Sequence, residues 1–520
     1  MRQKVGTHMK QQHTIASGMA VLVVTGLTAF FGATPAIAEV PGAPPAAPKI
    51  PTAPIVWGEC PVSVSATSPG MECGMVPVPL DYSNPEGERI ELMVSRLASA
   101  APSDRRGVLL LNPGGPGGSG LSMPTDLAYT HGMPADVIDS YDLIGMDTRG
   151  VGFSAPISCG FTTTQGFTGA VPKWAPDSDA VVAQAEVVKG VAEQCAANDV
   201  NGHLRHITTA NMARDLDQIR IALGEEKASF FGVSYGSALG AAYASMFPDT
   251  TDRVILDSNI GDTHVNQDGF RRYAEGTEDT FPDFAKWAAE RDGSYDLGDT
   301  PEEVRETYFE LGALLDEKPQ PGIDGHVFRA GTFAGLYAES SYPRTAALWQ
   351  TVQRTAERGE TAPAEPAEPA GPPAPEGQLA AFDNSWSVFQ AVTCNDVDFP
   401  SDVSVYQKAV EEDRERFPIF GAATANITPC AFWAFEPSEA PVPINDVGPK
   451  NILVLQNERD PVTPLSGGEL IREKFDQRSQ LVTADRSGHG VYVFGDSPCV
   501  DEITSDFLVE GTLPRKDVRC

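Results

Sequence analysis

No C-x-x-C pair occurs anywhere in the 520 residues, and no lysine follows the richest glycine run, so the short signatures of a zinc knuckle and of a nucleotide P-loop are both missing. Positive charge is scarce. Lys and Arg number 38 against 71 Asp and Glu, a formal net charge of −33, which opposes binding to nucleic acid or to anionic membrane surfaces. Past residue 38 no stretch reaches the roughly 20 apolar residues needed to cross a bilayer, and no repeat array is present. Neither a metal nor an organic cofactor is expected. What remains is an acidic chain long enough for a large core with an insertion.

The first 38 residues stand apart. Arg2, Lys4 and Lys10 precede an apolar run over 19–32 that ends in Ala36-Ile37-Ala38, the small-residue pattern of a secretory signal. The residue directly after that point is Glu39 and not a cysteine, so a lipid anchor is not expected, and the mature chain is expected outside the cell, free of the membrane. All eight cysteines (Cys60, Cys73, Cys159, Cys195, Cys394, Cys430, Cys499 and Cys520) lie beyond it, an even count that favours disulfides in an exported protein. Connectivity stays open, although pairing in chain order would close four short loops.

Residues 39–56 form a Pro/Ala-rich tether with too few large apolar groups to pack. Order is expected from Trp57. Two alternating stretches flank Asn84-Pro85-Glu86-Gly87 and predict an antiparallel hairpin. Six short apolar runs follow, GVLLLN, DLIGMD, SFFGV, RVILDSN, NILVLQN and QLVTAD, which predict buried strands of a mostly parallel sheet with flanking helices. Residues 208–223 are one such helix, with Met212, Leu216, Ile219 and Leu223 on one face. Between RVILDSN and NILVLQN this rhythm stops, so the core is expected over 57–262 and 441–520, with a mainly helical cap over 263–440. Within the cap, 361–378 is a low-complexity linker.

The chemistry gathers at the predicted strand ends. Gly232-Val233-Ser234-Tyr235-Gly236 fits G-x-S-x-G, a strand-to-helix turn that exposes one hydroxyl and sets the Tyr235 amide at a helix N-terminus. The run NPGGPGGSG supplies further amides, Gly115 among them, for an oxyanion hole. Asp460 and His489 each follow a later strand, and the order Ser, Asp, His is that of an α/β-hydrolase. In this reading Ser234 attacks, His489 takes and returns the proton, and Asp460 holds the imidazole. Asp257, at another strand end, is the rival acid; Asp485 lies too near His489 in sequence. Asp147 and Arg149 of DTRGVGFS read as a buried network shaping the glycine loop.

With NPGGPGGSG, DTRGVGFS, GVSYGS, AVTCND, DPVTP and GHG all present, the chain resembles the secreted bacterial tripeptidyl aminopeptidases, serine exopeptidases related to proline iminopeptidases. The resemblance runs from about Trp57 to Cys520. It implies the same triad, a threonine near it at Thr463, and an activity on peptides or proteins with free N-termini, carried out by a monomer. Two departures stand out. Pro113 replaces the histidine that opens the glycine loop of proline iminopeptidases, and Asn457 replaces a glycine before the acid, where it is expected to alter the wall of the site. An exopeptidase also needs an acceptor for the substrate ammonium, for which Asn395, Asp396 and Glu458 are candidates. The alternatives are an esterase or lipase with the same triad, and a non-catalytic surface-binding protein.

Overall fold

The computed structural model describes residues 53–162, 165, 167, 169–358 and 381–520. The expected signal, most of the tether and the linker 361–378 lie outside the described residues.

Ten strands form one sheet: β1 (Gly58–Glu59), β2 (Glu72–Pro79), β3 (Arg89–Leu97), β4 (Gly107–Asn112), β5 (Tyr141–Met146), β6 (Ala228–Val233), β7 (Thr251–Asp257), β8 (Ile452–Arg459), β9 (Ser479–Ser487) and β10 (Val518–Arg519). Their order is β1-β2-β3-β5-β4-β6-β7-β8-β9-β10. The hairpin β2/β3 and its neighbours β1 and β5 pair antiparallel, and every pair from β5/β4 onward is parallel. This crossed-over order with helices on both faces is the α/β-hydrolase fold.

The continuous apolar runs are explained by burial on both faces. Along β4, Val108 and Leu110 enter one core and Leu109 and Leu111 the other. The helix Tyr235–Met246 lies close on the sheet because its facing residues are small: a Cβ at Gly240 would sit 2.5 Å from the Phe230 ring. Thr208 caps the helix Thr209–Ala222 by accepting from Asn211 N–H. Arg149 and Asp215 pair within this core.

Between β7 and β8 lies a helical insertion with an aromatic core. Trp349 is fully buried, with Phe281, Phe284, Tyr308 and Phe328 within 6.1 Å centroid to centroid, and its indole N–H donates to Thr332 at 3.0 Å. The cysteines pair in chain order: Cys60–Cys73, Cys159–Cys195, Cys394–Cys430 and Cys499–Cys520. The last bond secures the C-terminal strand β10 beside β9.

Candidate active site

Ser234 occupies the turn between β6 and the helix Tyr235–Met246 with φ 62° and ψ −124°. A non-glycine residue there is strained by on the order of 1–3 kcal/mol and persists only where its surroundings over-determine it. They do so here: the Ser234 N–H donates to Asp257 O at 2.9 Å, and its carbonyl accepts from the N–H and hydroxyl of Ser237 at 2.8 and 2.6 Å. Gly236 is needed because a Cβ there would lie 2.7 Å from Asn112 O, driving the turn away from β4.

The glycine loop rests directly on this turn. A Cβ at Gly114 would meet Ser234 Cβ at 2.9 Å and Tyr235 N at 3.1 Å. The Gly114 N–H is spent on Asn112 Oδ1 at 3.0 Å, which leaves the amides that follow it, beginning with Gly115, as candidates for a developing oxyanion. Its companion would be Tyr235, which opens its helix and therefore has no intrahelical acceptor for its N–H.

His489 follows β9, and its Nδ1 lies 2.9 Å from Asp460 Oδ2 and 3.1 Å from Oδ1. Asp460 is fully buried, and its Oδ1 also accepts from the N–H groups of Val462 and Thr463 at 3.0 and 2.9 Å. With Nδ1 donating to the carboxylate, Nε2 is the nitrogen available to take a proton. Burial opposes the imidazolium, but the charge and hydrogen bond of Asp460, helped by Asp257, outweigh it and hold His489 above its usual 6.5. Thr463 Oγ1 stands 3.3 Å from the same Nδ1. Strand register brings these residues to one rim, with Val233 beside Asp257 and Asp257 beside Leu455. Val233 and His489 line one cleft of about 270 Å³ with Pro113, Met123 and Phe494. A larger cleft of about 610 Å³, lined by Asp283, Arg459 and Cys520 among others, includes none of Ser234, Asp460 and His489.

Asp257 does not take the acid's place. Its carboxylate accepts from the N–H groups of Val491 and Tyr492 at 2.9 and 2.8 Å and from the Ser258 hydroxyl at 3.0 Å. Burial pushes it up to about 7 against the pull of these donors. Asp485 is exposed and bonds Arg459 and Arg519.

Each candidate for the substrate ammonium already has partners within the fold. Asn395 donates to the carbonyls of Leu204 and Ile207 and accepts from the Trp433 indole, which uses both of its N–H donors and one lone pair of its oxygen. Asp396 accepts from the N–H and hydroxyl of Thr209 at 2.8 and 2.6 Å, capping a helix behind Tyr235; burial raises it to about 7. Glu458 forms a two-point pair with Arg519 at 2.5 and 2.7 Å, beside the C-terminal strand.

Two further expectations need correction. Asp147 reaches the glycine loop through the Ser119 hydroxyl at 2.5 Å, but Arg149 turns the other way, bonding Asp215 at 2.7 Å twice and the carbonyls of Pro79, Leu80 and His206. They are two networks, because one buried guanidinium already finds a full carboxylate in Asp215. Asn457 does not shape a wall by bulk: its carboxamide donates to Gly488 O and Gly490 O at 2.9 and 3.0 Å, bracketing His489.

Sequence reasoning missed what the insertion contributes. The Tyr337 carbonyl accepts the His489 N–H at 2.8 Å, and its ring packs edge-on against the imidazole, centroids 5.2 Å apart. The Ser385 carbonyl sits against Gly117. Asn384 binds Gly150 O, Ile157 O and the Gly152 N–H at 2.7, 2.9 and 2.9 Å, docking its helix onto the DTRGVGFS loop. Carbonyls carry no residue signature, so only the buried polar Asn384 offered a clue.

Residues 417–520 match the family described as TAP-like protein. A tripeptidyl aminopeptidase from Streptomyces lividans is 33% identical over 480 residues, covering 90% of this chain and 86% of that protein. The serine protease Hip1 of Mycobacterium tuberculosis is 30% identical, covering 90% of this chain and 91% of that protein. A carboxylesterase B from the same species is 29% identical, with 94% of each covered. With similarity running through both halves of the core and the insertion between them, the chain belongs to the tripeptidyl aminopeptidase family and is a serine peptidase.

Proposed function

We propose that this serine peptidase is exported and releases short peptides, tripeptides by the family resemblance, from free N-termini through an acyl-enzyme on Ser234. His489 serves as base and then acid, Asp460 holds its tautomer and steadies the imidazolium, and the amides of Gly115 and Tyr235 receive the oxyanion. The observation that carries this reading is the His489–Asp460 hydrogen bond at the rim where Ser234 and the glycine loop meet. The insertion reaches that rim at Tyr337 and Ser385, and a cap that closes the N-terminal side of the substrate after a few residues is what an exopeptidase needs. Four disulfides support export. Asn395, Asp396 and Glu458 remain the candidate acceptors for the substrate ammonium, each with partners already in place within the fold.

The test is mass spectrometry of products from a mixed peptide library offered with N-acetylated copies. Tripeptides released only from free N-termini are expected; equal cleavage of the acetylated copies would remove the exopeptidase reading and leave the hydrolase. The carboxylesterase relative motivates one rival. Tripeptide amides and short acyl esters assayed side by side decide between them, a preference for esters favouring the rival.

A further inference from the structure

We propose that Asp257 is a positioning residue for His489: its carboxylate sets the loop that presents the imidazole to Ser234, without itself meeting substrate. The inference rests on the reading of Ser234 as nucleophile and His489 as base.

Asp257 ends β7, between the strand that delivers Ser234 and the strand that delivers Asp460. Its backbone carbonyl accepts the Ser234 N–H at 2.9 Å. Its carboxylate accepts the N–H groups of Val491 and Tyr492, two and three residues past His489. The next residue extends the tie: Ser258 Oγ donates to Asp257 Oδ1 at 3.0 Å and accepts the Gly490 N–H at 2.9 Å. Ser258 has φ +55°, a strained conformation retained where its hydroxyl makes both bonds. One residue thus fixes the backbone at both ends of the proposed proton path.

The requirement is for a carboxylate. Three donors converge on its two oxygens, and it is fully buried, so no water can replace it without cost. An amide in its place would aim N–H at N–H. Other ties to the loop lie on either side of the Val491 and Tyr492 amides: Asn457 holds Gly488 O and Gly490 O, Arg459 O accepts the Gly488 N–H, Tyr337 O accepts the His489 N–H, and the Asp501 carboxylate accepts the Val493 N–H at 3.1 Å. Among the described residues, Asp257 alone holds the segment after the histidine through two consecutive amides. Its loss lets that segment shift while the Asp460 contact and the substrate surface stay in place. The effect therefore falls on the chemical step, where a misplacement of about 1 Å costs on the order of 100-fold.

The test compares full-length wild type with Asp257→Asn on a peptide amide, alongside fluorophosphonate labelling of Ser234 and thermal unfolding. For D257N, kcat is expected to fall on the order of 100-fold with KM within about twofold, and labelling to slow in step. Unchanged kcat, or a loss carried by KM, would overturn the proposal. Should D257N fail to fold, Ser258→Ala decides: a loss in kcat of about tenfold at constant KM supports the tie, and unchanged kcat overturns it. Wild-type protein that resists labelling would remove the Ser234 reading and this inference together. Labelled wild type with an unimpaired D257N would remove this inference alone.

Discussion

The sheet and the insertion both reach His489, by different means. From the sheet come side chains: the Asp460 carboxylate on Nδ1, the Asn457 carboxamide on the flanking carbonyls, and the Asp257 carboxylate on the amides beyond. From the insertion comes mainly backbone, the Tyr337 carbonyl on the histidine N–H and the Ser385 carbonyl against the glycine loop. On the sheet side, residue identity is the device. On the insertion side, the device is where the chain runs, and residue identity matters where it fixes that course, as at Asn384.

Substitutions can break this contrast. The largest effect is expected for Ser234→Ala, a loss of about 10⁶-fold in kcat with labelling abolished; steady-state kinetics with active-site titration checks it. Asp460→Asn follows, with kcat down about 10⁴-fold. The pH profile of kcat/KM then gives a second reading. His489 must be neutral to act as base and is held above 6.5, so the wild-type acid limb should have its midpoint above that value and activity should decline below it. Asp460 supplies the favourable charge and hydrogen bond, so D460N should move the limb to lower pH; a limb that stays put would deny Asp460 this role.

Stability changes come next. Asp215→Ala strands the buried Arg149 guanidinium and should cost about 3–5 kcal/mol in denaturant unfolding. Asn384→Ala removes three hydrogen bonds between insertion and core and should cost about 1–3 kcal/mol; limited proteolysis of the insertion reports the same loosening. The smallest effect sharpens the comparison most. Tyr337→Phe keeps the carbonyl and the ring, so kcat/KM should stay within about twofold, an interval of roughly 0.4 kcal/mol. A tenfold loss would mean that the hydroxyl acts and that the insertion also works through side chains.

Much of the fold was legible because burial on both faces leaves a plain mark. The six apolar runs became β4 to β9, the hairpin became β2/β3, and the cysteines paired in chain order. The Asp460–His489 contact was legible from strand-end spacing, as was the approach of Thr463. The packing partners of Asn395, Asp396 and Glu458 were not. A buried polar side chain looks the same in sequence whether it awaits a ligand or satisfies Leu204, Thr209 or Arg519. Arg149 was misassigned for a similar reason, since its partner Asp215 lies 66 residues away on another element.

By itself the sequence determined which strands form and which candidate residues stand at their ends, because hydrophobic period, glycine placement and chain order are local properties. Only the tertiary structure decided which polar groups are consumed by the packing, and that Asp257 and Asn457 serve the histidine loop. Hydrogen-bond satisfaction is settled between groups far apart in the chain, 235 residues for Asp257 and Tyr492, and depends on distances that no one-dimensional pattern contains.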